Sequence, residues 1–148
     1  MIALQLMKNS QQVQSIITKN AGEMSVAAKS FLGKFRDITG IFCITGEMGA
    51  GKTTFVAAIF HELGIEFLGS PTFSIVNEYQ LDGEKFLYHF DLYRIRNVQE
   101  LLEIGFEEYL YRDAMVFIEW PEIAMPLIPE EKHDITITDN GNYRTITF

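Results

Sequence analysis

Apolar residues recur along the chain at two spacings, one typical of helices and one typical of buried strands. Between residues 24 and 35 they fall at intervals of three and four, which predicts an amphipathic helix after a cap at Asn20. Residues 41–44 and 115–118 are uninterrupted apolar runs, too short for helices and suited to strands that are buried on both faces. The pattern therefore predicts an α/β protein.

Shorter patterns predict additions to this sheet. Residues 73–91 and 135–148 each contain two strand-like runs around a DG or an NG pair, and such pairs favour tight hairpin turns. Residues 11–18 predict a short edge strand, and residues 65–67 predict another short strand. Two short helices are expected within residues 97–111, the first of them opened by a capping-box sequence. The sheet is therefore expected to be mixed.

Length and composition predict one domain that spans residues 1–148. Residues 1–11 carry no clear pattern and are treated as an N-terminal extension. A hydrophobic content of 47% with 12 Phe indicates a globular chain rather than a disordered one. Cys43 is the only cysteine, so an internal disulfide is excluded. No apolar run approaches the roughly 20 residues that cross a bilayer, so we expect a cytoplasmic protein without a membrane partner.

The charge of the chain bears on its partners. The formal net charge is −8, from 12 basic and 20 acidic residues. A chain this acidic is repelled by a phosphate backbone unless its cations are concentrated on one face. The nearest approach to a basic cluster is the pair Arg94 and Arg96. We therefore expect contact with nucleic acid only through a partner.

A glycine-rich loop follows the apolar run at residues 41–44. Residues 46–53 read GEMGAGKT, the spacing of a P-loop, and a helix-like apolar stretch follows them. Glycines in such a loop let consecutive N–H groups converge on phosphate oxygens at the positive end of a helix dipole. Lys52 would contact the β- and γ-phosphates, and the Thr53 hydroxyl would bind Mg²⁺. The predicted nucleotide-binding residues are Glu47, Met48, Gly49, Ala50, Gly51, Lys52, Thr53 and Thr54.

Acids at the ends of strands are the second candidate feature. The P-loop and the strand pattern predict a P-loop NTPase-like three-layer sandwich with a mixed, mainly parallel sheet and added antiparallel hairpins. In open α/β sheets, ligands bind at the carboxyl ends of the strands. Asp91 and Glu119 each end an apolar strand, and either carboxylate could hold Mg²⁺. We assign the metal to Glu119, whose strand most resembles the run before a Walker B acid, and assign Asp91 to metal-bound water or the nucleophile.

Four other residues have competing interpretations. Thr72 could sense the γ-phosphate, as switch-loop threonines do, or could only form a turn; we place it with Asp91 and Lys52 among the candidate catalytic residues. Trp120 could cover the nucleotide, contact a partner or pack against the end of the sheet. For His89 we favour packing in the core. For Arg94 we favour a salt bridge to neighbouring acids over a charge-stabilising finger.

Four motifs together resemble those of one family of bacterial ATPases. They are GEMGAGKTTF at residues 46–55, SPTF at 70–73, HFDLYR at 89–94 and IEWPE at 118–122. In this order and spacing they resemble the TsaE family, and the resemblance runs from about Asn20 to the C-terminus. The P-loop occurs in many families, whereas the other three motifs in this order are highly specific.

The resemblance implies a role in making threonylcarbamoyladenosine, the modified adenosine beside the anticodon of tRNAs that read A-starting codons. Members of the family bind the TsaD and TsaB pair and use ATP binding and hydrolysis to drive or reset its cycle. ATP and Mg²⁺ are the implied cofactors. Lys52 and Thr53 would take the phosphate and Mg²⁺ roles, Glu119 the metal, and Asp91 a catalytic or metal-water role. The tRNA would be held by the partners.

Two other functions compete with this one. A small-molecule or nucleoside kinase would need an acceptor pocket and usually a lid that carries several arginines. The chain has no long insertion for a lid, and its arginines are scattered at Arg36, Arg94, Arg96, Arg112 and Arg144. A nucleotide-gated binding module with negligible turnover is the third possibility.

Overall fold

A computed structural model, which describes residues 12–72 and 74–148, shows a seven-stranded sheet with helices. The strands are β1 (Ser15–Thr18), β2 (Gly40–Thr45), β3 (Val76–Gln80), β4 (Phe86–Asp91), β5 (Ala114–Glu119), β6 (His133–Asp139) and β7 (Arg144–Thr147). The α-helices are α1 (Met24–Phe35), α2 (Lys52–Glu62), α3 (Val98–Glu103) and α4 (Phe106–Leu110), and 3₁₀ turns span Ala21–Glu23 and Pro121–Ala124. None of the helices in the described part of the chain has the length and apolarity needed to cross a bilayer.

The sheet is parallel in the middle and antiparallel at both ends. Its strand order is β1-β7-β6-β2-β5-β4-β3. The four central strands, from β6 to β4, pair in parallel. The β3–β4 and β6–β7 hairpins and the β1–β7 pair are antiparallel. The predicted mixed sheet and both predicted hairpins are therefore confirmed.

Two apolar cores cover the two faces of the sheet. Helices α1 and α2 pack on one face, and α3, α4 and the 3₁₀ turn after β5 pack on the other. Along β2, Phe42 belongs to the first core and Cys43 to the second, because successive side chains of a strand point to opposite faces. All six residues of β5 are buried. The predicted three-layer architecture and the strands buried on both faces are confirmed.

The structure confirms one of the two short strands predicted outside the hairpins. The predicted edge strand at residues 11–18 is confirmed as β1, which starts later and pairs with β7. The strand predicted at residues 65–67 is wrong. The N–H of Ile65 donates to the Phe60 carbonyl and closes the end of α2, so these apolar residues pack on the core without a strand partner. Residues 1–11, the predicted extension, lie outside the described residues.

The topology brings the candidate residues to one edge of the sheet. Strands β2, β4 and β5 are parallel neighbours, so their carboxyl ends lie side by side. In this register Glu119 lies beside Asp91 on one side and beside Ile44 on the other. The P-loop leaves β2 at the same edge. The sheet face that carries α2 also carries the side chains of His89, Asp91 and Glu119. His89 and Asp91 lie two and four residues after Leu87, and Glu119 lies two residues after Phe117. Leu87 and Phe117 belong to the core beneath α1 and α2, and side chains two residues apart in a strand point to the same face.

Phe31 is the centre of the larger core and provides a test of the fold. Its ring lies 4.9–6.1 Å from five aromatic rings, those of Phe35, Phe42, Phe55, Phe117 and Phe148. We expect Phe31→Ala to lower the free energy of unfolding by about 3–5 kcal/mol, since it removes this packing and leaves a cavity. Urea denaturation followed by circular dichroism measures the change.

Val26 provides the matched control on the same helix. Its side chain is 59% exposed, so Val26→Ala should change the free energy of unfolding by no more than about 0.5 kcal/mol. Similar losses for the two variants would contradict the packing described for α1.

Candidate active site

Close contacts fix the path of the P-loop between β2 and α2. Gly49 and Gly51 have φ values of 79° and 108°, a left-handed region that favours glycine. A Cβ added at Gly51 would lie 3.0 Å from the Met24 side chain and 3.3 Å from the Arg144 guanidinium. A Cβ at Gly46 would lie 2.5 Å from the Ile137 carbonyl oxygen. Strand β6, helix α1 and Arg144 therefore form the walls of the loop.

The loop ends at the N-terminus of an eleven-residue helix. Helix α2 begins at Lys52, directly after the left-handed Gly51, and no side chain caps it. The first N–H groups of a helix have no partner within the helix, and the helix dipole adds positive potential at this end. This terminus therefore has the chemistry of an anion site, and the described loop presents it at the edge of the sheet.

The Lys52 ammonium is held back against the loop and an aromatic ring. Its Nζ donates to the carbonyl oxygens of Gly46 at 2.6 Å and Glu47 at 2.8 Å. It also lies 4.1 Å from the centre of the Trp120 ring, within the range of a cation–π contact. Burial lowers the pKa of Lys52, and the nearby Glu119 carboxylate opposes that shift. Trp120 itself has a left-handed backbone and packs on Tyr93.

A chain of hydrogen bonds links α2 to two strands. The Thr53 hydroxyl donates to Oε1 of Glu119 at 2.8 Å and lies 3.2 Å from the Ser70 hydroxyl. The other oxygen of Glu119, Oε2, lies 2.6 Å from Nε2 of His89. Glu119 and His89 are both fully buried. Thr53 and Glu119 thus bring a hydroxyl oxygen and a carboxylate oxygen together at the start of α2.

Asp91 lies beside this group, half-buried. Its Oδ1 accepts a hydrogen bond from the Tyr93 N–H at 3.1 Å. Burial raises the pKa of the Asp91 carboxyl, the Tyr93 hydrogen bond opposes that shift, and the charge of Glu119 adds to it. A carboxylate of this kind suits the binding of a cation or of a polarised water.

These groups line one cavity of about 270 Å³. Its lining residues are Met48, Gly49, Gly51, Lys52, Thr53, Thr54, Asp91, Tyr93, Glu119, Trp120 and Arg144. Of the predicted P-loop residues, Glu47 and Ala50 do not line it. The N–H of Ala50 donates to the Glu47 carbonyl and forms the turn of the loop. The structure therefore brings Lys52, Thr53, Asp91 and Glu119 together.

Thr72 and Arg94 lie on the other side of Asp91. They line a second cavity of about 200 Å³, together with Asp91 and Tyr93. Thr72 is exposed and does not line the cavity that contains Lys52. The favoured salt bridge of Arg94 is wrong, because Arg94 is exposed and forms no ion pair with any residue that the structure describes.

The sequence did not single out Arg144. The core packing predicted for His89 is confirmed, and its contact with Glu119 was not predicted. Arg144, in β7, donates to the Gly49 carbonyl at 3.2 Å and lines the first cavity. It also lines a third cavity of about 210 Å³, beside Thr18, Asn20 and Asp139. The Thr18 hydroxyl is buried and has no hydrogen-bond partner among the described residues. No local motif marks Arg144, because its position depends on the order of the strands.

The oxygen ligands present fit a magnesium ion better than a transition metal. The described residues contain no group of three His, Cys, Asp or Glu side chains that could hold a metal alone. Mg²⁺ needs no such cage, since it keeps several waters and binds one or two carboxylates together with phosphate oxygens. The Thr53 hydroxyl and the Glu119 carboxylate, 2.8 Å apart, are oxygen ligands of that kind.

The raised pKa of Asp91 makes a testable difference to stability. The folded protein binds the proton of the Asp91 carboxyl more tightly than the unfolded chain does. The protein therefore loses stability as the pH rises from the pKa of the unfolded state to that of the folded state. Asp91→Asn can keep the Tyr93 hydrogen bond and removes the charge. We expect it to be more stable than the wild type at pH 7, by no more than about 1 kcal/mol because the carboxylate is half-exposed.

The gain should disappear below the unfolded pKa of an aspartate, where both states carry the proton. Urea denaturation at pH 7 and at acid pH measures it. The exposed Asp113, replaced by Asn, is the control and should leave the stability nearly unchanged at both pH values. A less stable Asp91→Asn at pH 7 would contradict the electrostatics described here.

Known proteins resemble this chain over most of its length. A family model described as "Threonylcarbamoyl adenosine biosynthesis protein TsaE" matches residues 10–146. The Borreliella burgdorferi "tRNA threonylcarbamoyladenosine biosynthesis protein TsaE" is 42% identical over 93 residues, 62% of this chain and 67% of that protein. The Bacillus subtilis protein of the same name is 35% identical over 133 residues, 88% of this chain and 82% of that protein.

A solved structure agrees with the sequence relatives. The crystal structure of YdiB from Bacillus subtilis superposes with a TM-score of 0.72 at 30% identity, and the match covers 93% of this chain and 84% of that one. The family model and the identities together show the relationship that the four motifs predicted. The chain therefore belongs to the TsaE family.

Proposed function

We propose that the protein is a Mg²⁺-dependent ATPase that acts with TsaD and TsaB in the threonylcarbamoyl modification of adenosine next to the tRNA anticodon. The observation that carries the proposal is the contact between the Thr53 hydroxyl and the Glu119 carboxylate at the start of the P-loop helix. It provides a metal site within the same cavity as the Lys52 ammonium. The names of the two curated relatives support the biosynthetic role.

Different residues of the cavity would bind the phosphates and the metal ion of a triphosphate. The N-terminus of α2 and the P-loop amides would hold phosphate oxygens, and Lys52 would exchange its two carbonyl acceptors for the β- and γ-phosphates. Thr53 and Glu119 would hold Mg²⁺. When bound, the ion neutralises charge that develops on the phosphate oxygens. Trp120 and Tyr93 form an aromatic wall on one side of the cavity.

Asp91 is the candidate for orienting the attacking water. It lies beside Glu119 in the register of the sheet, but Thr53 and His89, which hydrogen-bond to Glu119, do not hydrogen-bond to Asp91. The Tyr93 N–H fixes one of its oxygens, which leaves the other for a water or for the hydration shell of the metal. Thr72 and Arg94, across Asp91, are then positioned to contact the terminal phosphate from the second cavity.

The third cavity suits the nucleoside part of ATP. It shares Arg144 with the cavity of the P-loop and is lined by polar groups of Thr18, Asn20 and Asp139. The Thr18 hydroxyl, which has no partner among the described residues, would find one in a ribose or base. This assignment places the nucleotide across the ends of β1 and β7.

The charge of the chain supports an indirect relation to tRNA. A net charge of −8 disfavours direct binding to a phosphate backbone, so the proposal gives that task to TsaD and TsaB. A single buried cysteine agrees with a reducing compartment, and we place the protein in the cytoplasm.

A P-loop kinase is the second candidate. The observation that favours it is the second cavity, where an acceptor hydroxyl could lie next to Asp91. The arginine-rich lid typical of such kinases is missing from the sequence.

ATP turnover with and without purified TsaD and TsaB tests the proposal. We expect slow hydrolysis by the chain alone, faster hydrolysis with both partners, and a loss of at least about 100-fold in Lys52→Ala, which removes the cation closest to the phosphates. The exposed Lys29, on α1, provides a charge-matched control, and Lys29→Ala should retain the wild-type rate.

Two results would count against this proposal. Unchanged ATP affinity and turnover in Lys52→Ala would contradict the assignment of the phosphate site. Rapid phosphoryl transfer to a nucleoside or metabolite, with no response to the partners, would favour the kinase.

A further inference from the structure

His89 is buried in the sheet and has one polar contact within the part of the chain that the structure describes. Its side chain has no exposed surface, and the rings of Phe60 and Phe67 lie 6.3 and 5.8 Å from the imidazole. Its Nε2 lies 2.6 Å from Oε2 of Glu119. An apolar residue would fill this space without the cost of burying a polar ring. The hydrogen bond to Glu119 is therefore the interaction that a histidine makes at this position and an apolar residue could not make.

The contacts of the two ring nitrogens indicate where the hydrogen lies. A carboxylate oxygen only accepts, so Nε2 of His89 must donate to Glu119. Nδ1 is buried and has no hydrogen-bond partner among the described residues. A hydrogen on Nδ1 would be left without an acceptor, so the ring carries its hydrogen on Nε2.

The two oxygens of Glu119 consequently have separate partners. Oε2 faces His89 in the interior of the sheet, and Oε1 faces Thr53 at the cavity. Without a donor on Oε2, the carboxylate could rotate about its last torsion, which is broad in glutamate. With both donors in place, Oε1 stays beside the hydroxyl at the N-terminus of α2.

We propose that His89 is a positioning residue of the site: it orients Glu119 so that Oε1 and the Thr53 hydroxyl bind Mg²⁺ together. This inference rests on the proposed function, in which Glu119 is the metal carboxylate. Residues that hydrogen-bond to metal ligands change metal affinity or activity by about 10–100-fold when they are removed. His89 does not contact the cavity, so it acts only through Glu119.

The dependence of nucleotide affinity on Mg²⁺ tests the role of His89. Calorimetry with a non-hydrolysable ATP analogue, in Mg²⁺ and in EDTA, gives the enhancement that the metal provides. We expect His89→Leu to reduce this enhancement by about 10-fold or more and to leave the affinity in EDTA within about 2-fold of the wild type. His89→Gln, whose amide can donate to Oε2, should recover most of the enhancement.

A second histidine provides the matched control. His133 is half-buried and stacks on Phe42 at 5.0 Å, away from the cavity, so His133→Leu should retain the full enhancement. A full enhancement in His89→Leu, or equal losses in His89→Leu and His89→Gln, would overturn the positioning role. A wild-type protein with no Mg²⁺ enhancement would instead overturn the metal role of Glu119, and with it this inference.

Nitrogen NMR of the wild-type protein tests the geometry without any variant or metal. We expect the His89 ring to carry its hydrogen on Nε2 and to have a bare Nδ1. A ring protonated on Nδ1 alone could not donate to Glu119 and would overturn the proposal even if His89→Leu failed to fold.

Discussion

The buried carboxylate of Glu119 accepts two hydrogen bonds and thereby connects three elements of the candidate site, β5, α2 and β4. Glu119 ends β5, Thr53 lies in the first turn of α2, and His89 lies within β4. A buried carboxylate that lost a donor would destabilise the fold strongly, because little else in the interior could solvate it. The start of the helix and the two strands are therefore linked through one carboxylate. Lys52 and Asp91 line the same cavity as this carboxylate.

Much of this arrangement could be predicted from local patterns. The helical spacing at residues 24–35 and the apolar run of β5 reflect burial, which acts on each element separately. The P-loop is contiguous, so its position and helix follow from eight residues. Alternation along β4 also shows that His89 and Asp91 share one face. These features need no knowledge of which strands are neighbours.

The parts that failed depend on contacts between distant segments. Residues 65–67 have the composition of a strand, but the N–H of Ile65 donates to the Phe60 carbonyl at the end of α2, and the segment packs on the core instead of pairing. Arg94 has acidic neighbours in the sequence, yet it faces a cavity. The roles of Arg144 and Thr18 follow from the pairing of β7 with β1 and β6, which no local signal predicts. The contact of His89 with Glu119 likewise requires β4 beside β5.

Two of the three walls of the P-loop come from segments that follow it at a large distance along the chain. Gly46 lies against the carbonyl of Ile137, and Gly51 lies against Arg144. During synthesis on the ribosome the loop emerges after α1 but long before Ile137 and Arg144, so a nascent chain contains the loop sequence without these two contacts. Closing such long-range contacts is slow relative to forming local turns. The described shape of the loop is therefore complete only when the β6–β7 hairpin has paired with β2, because that hairpin supplies the contacts of Gly46 and Gly51 with Ile137 and Arg144.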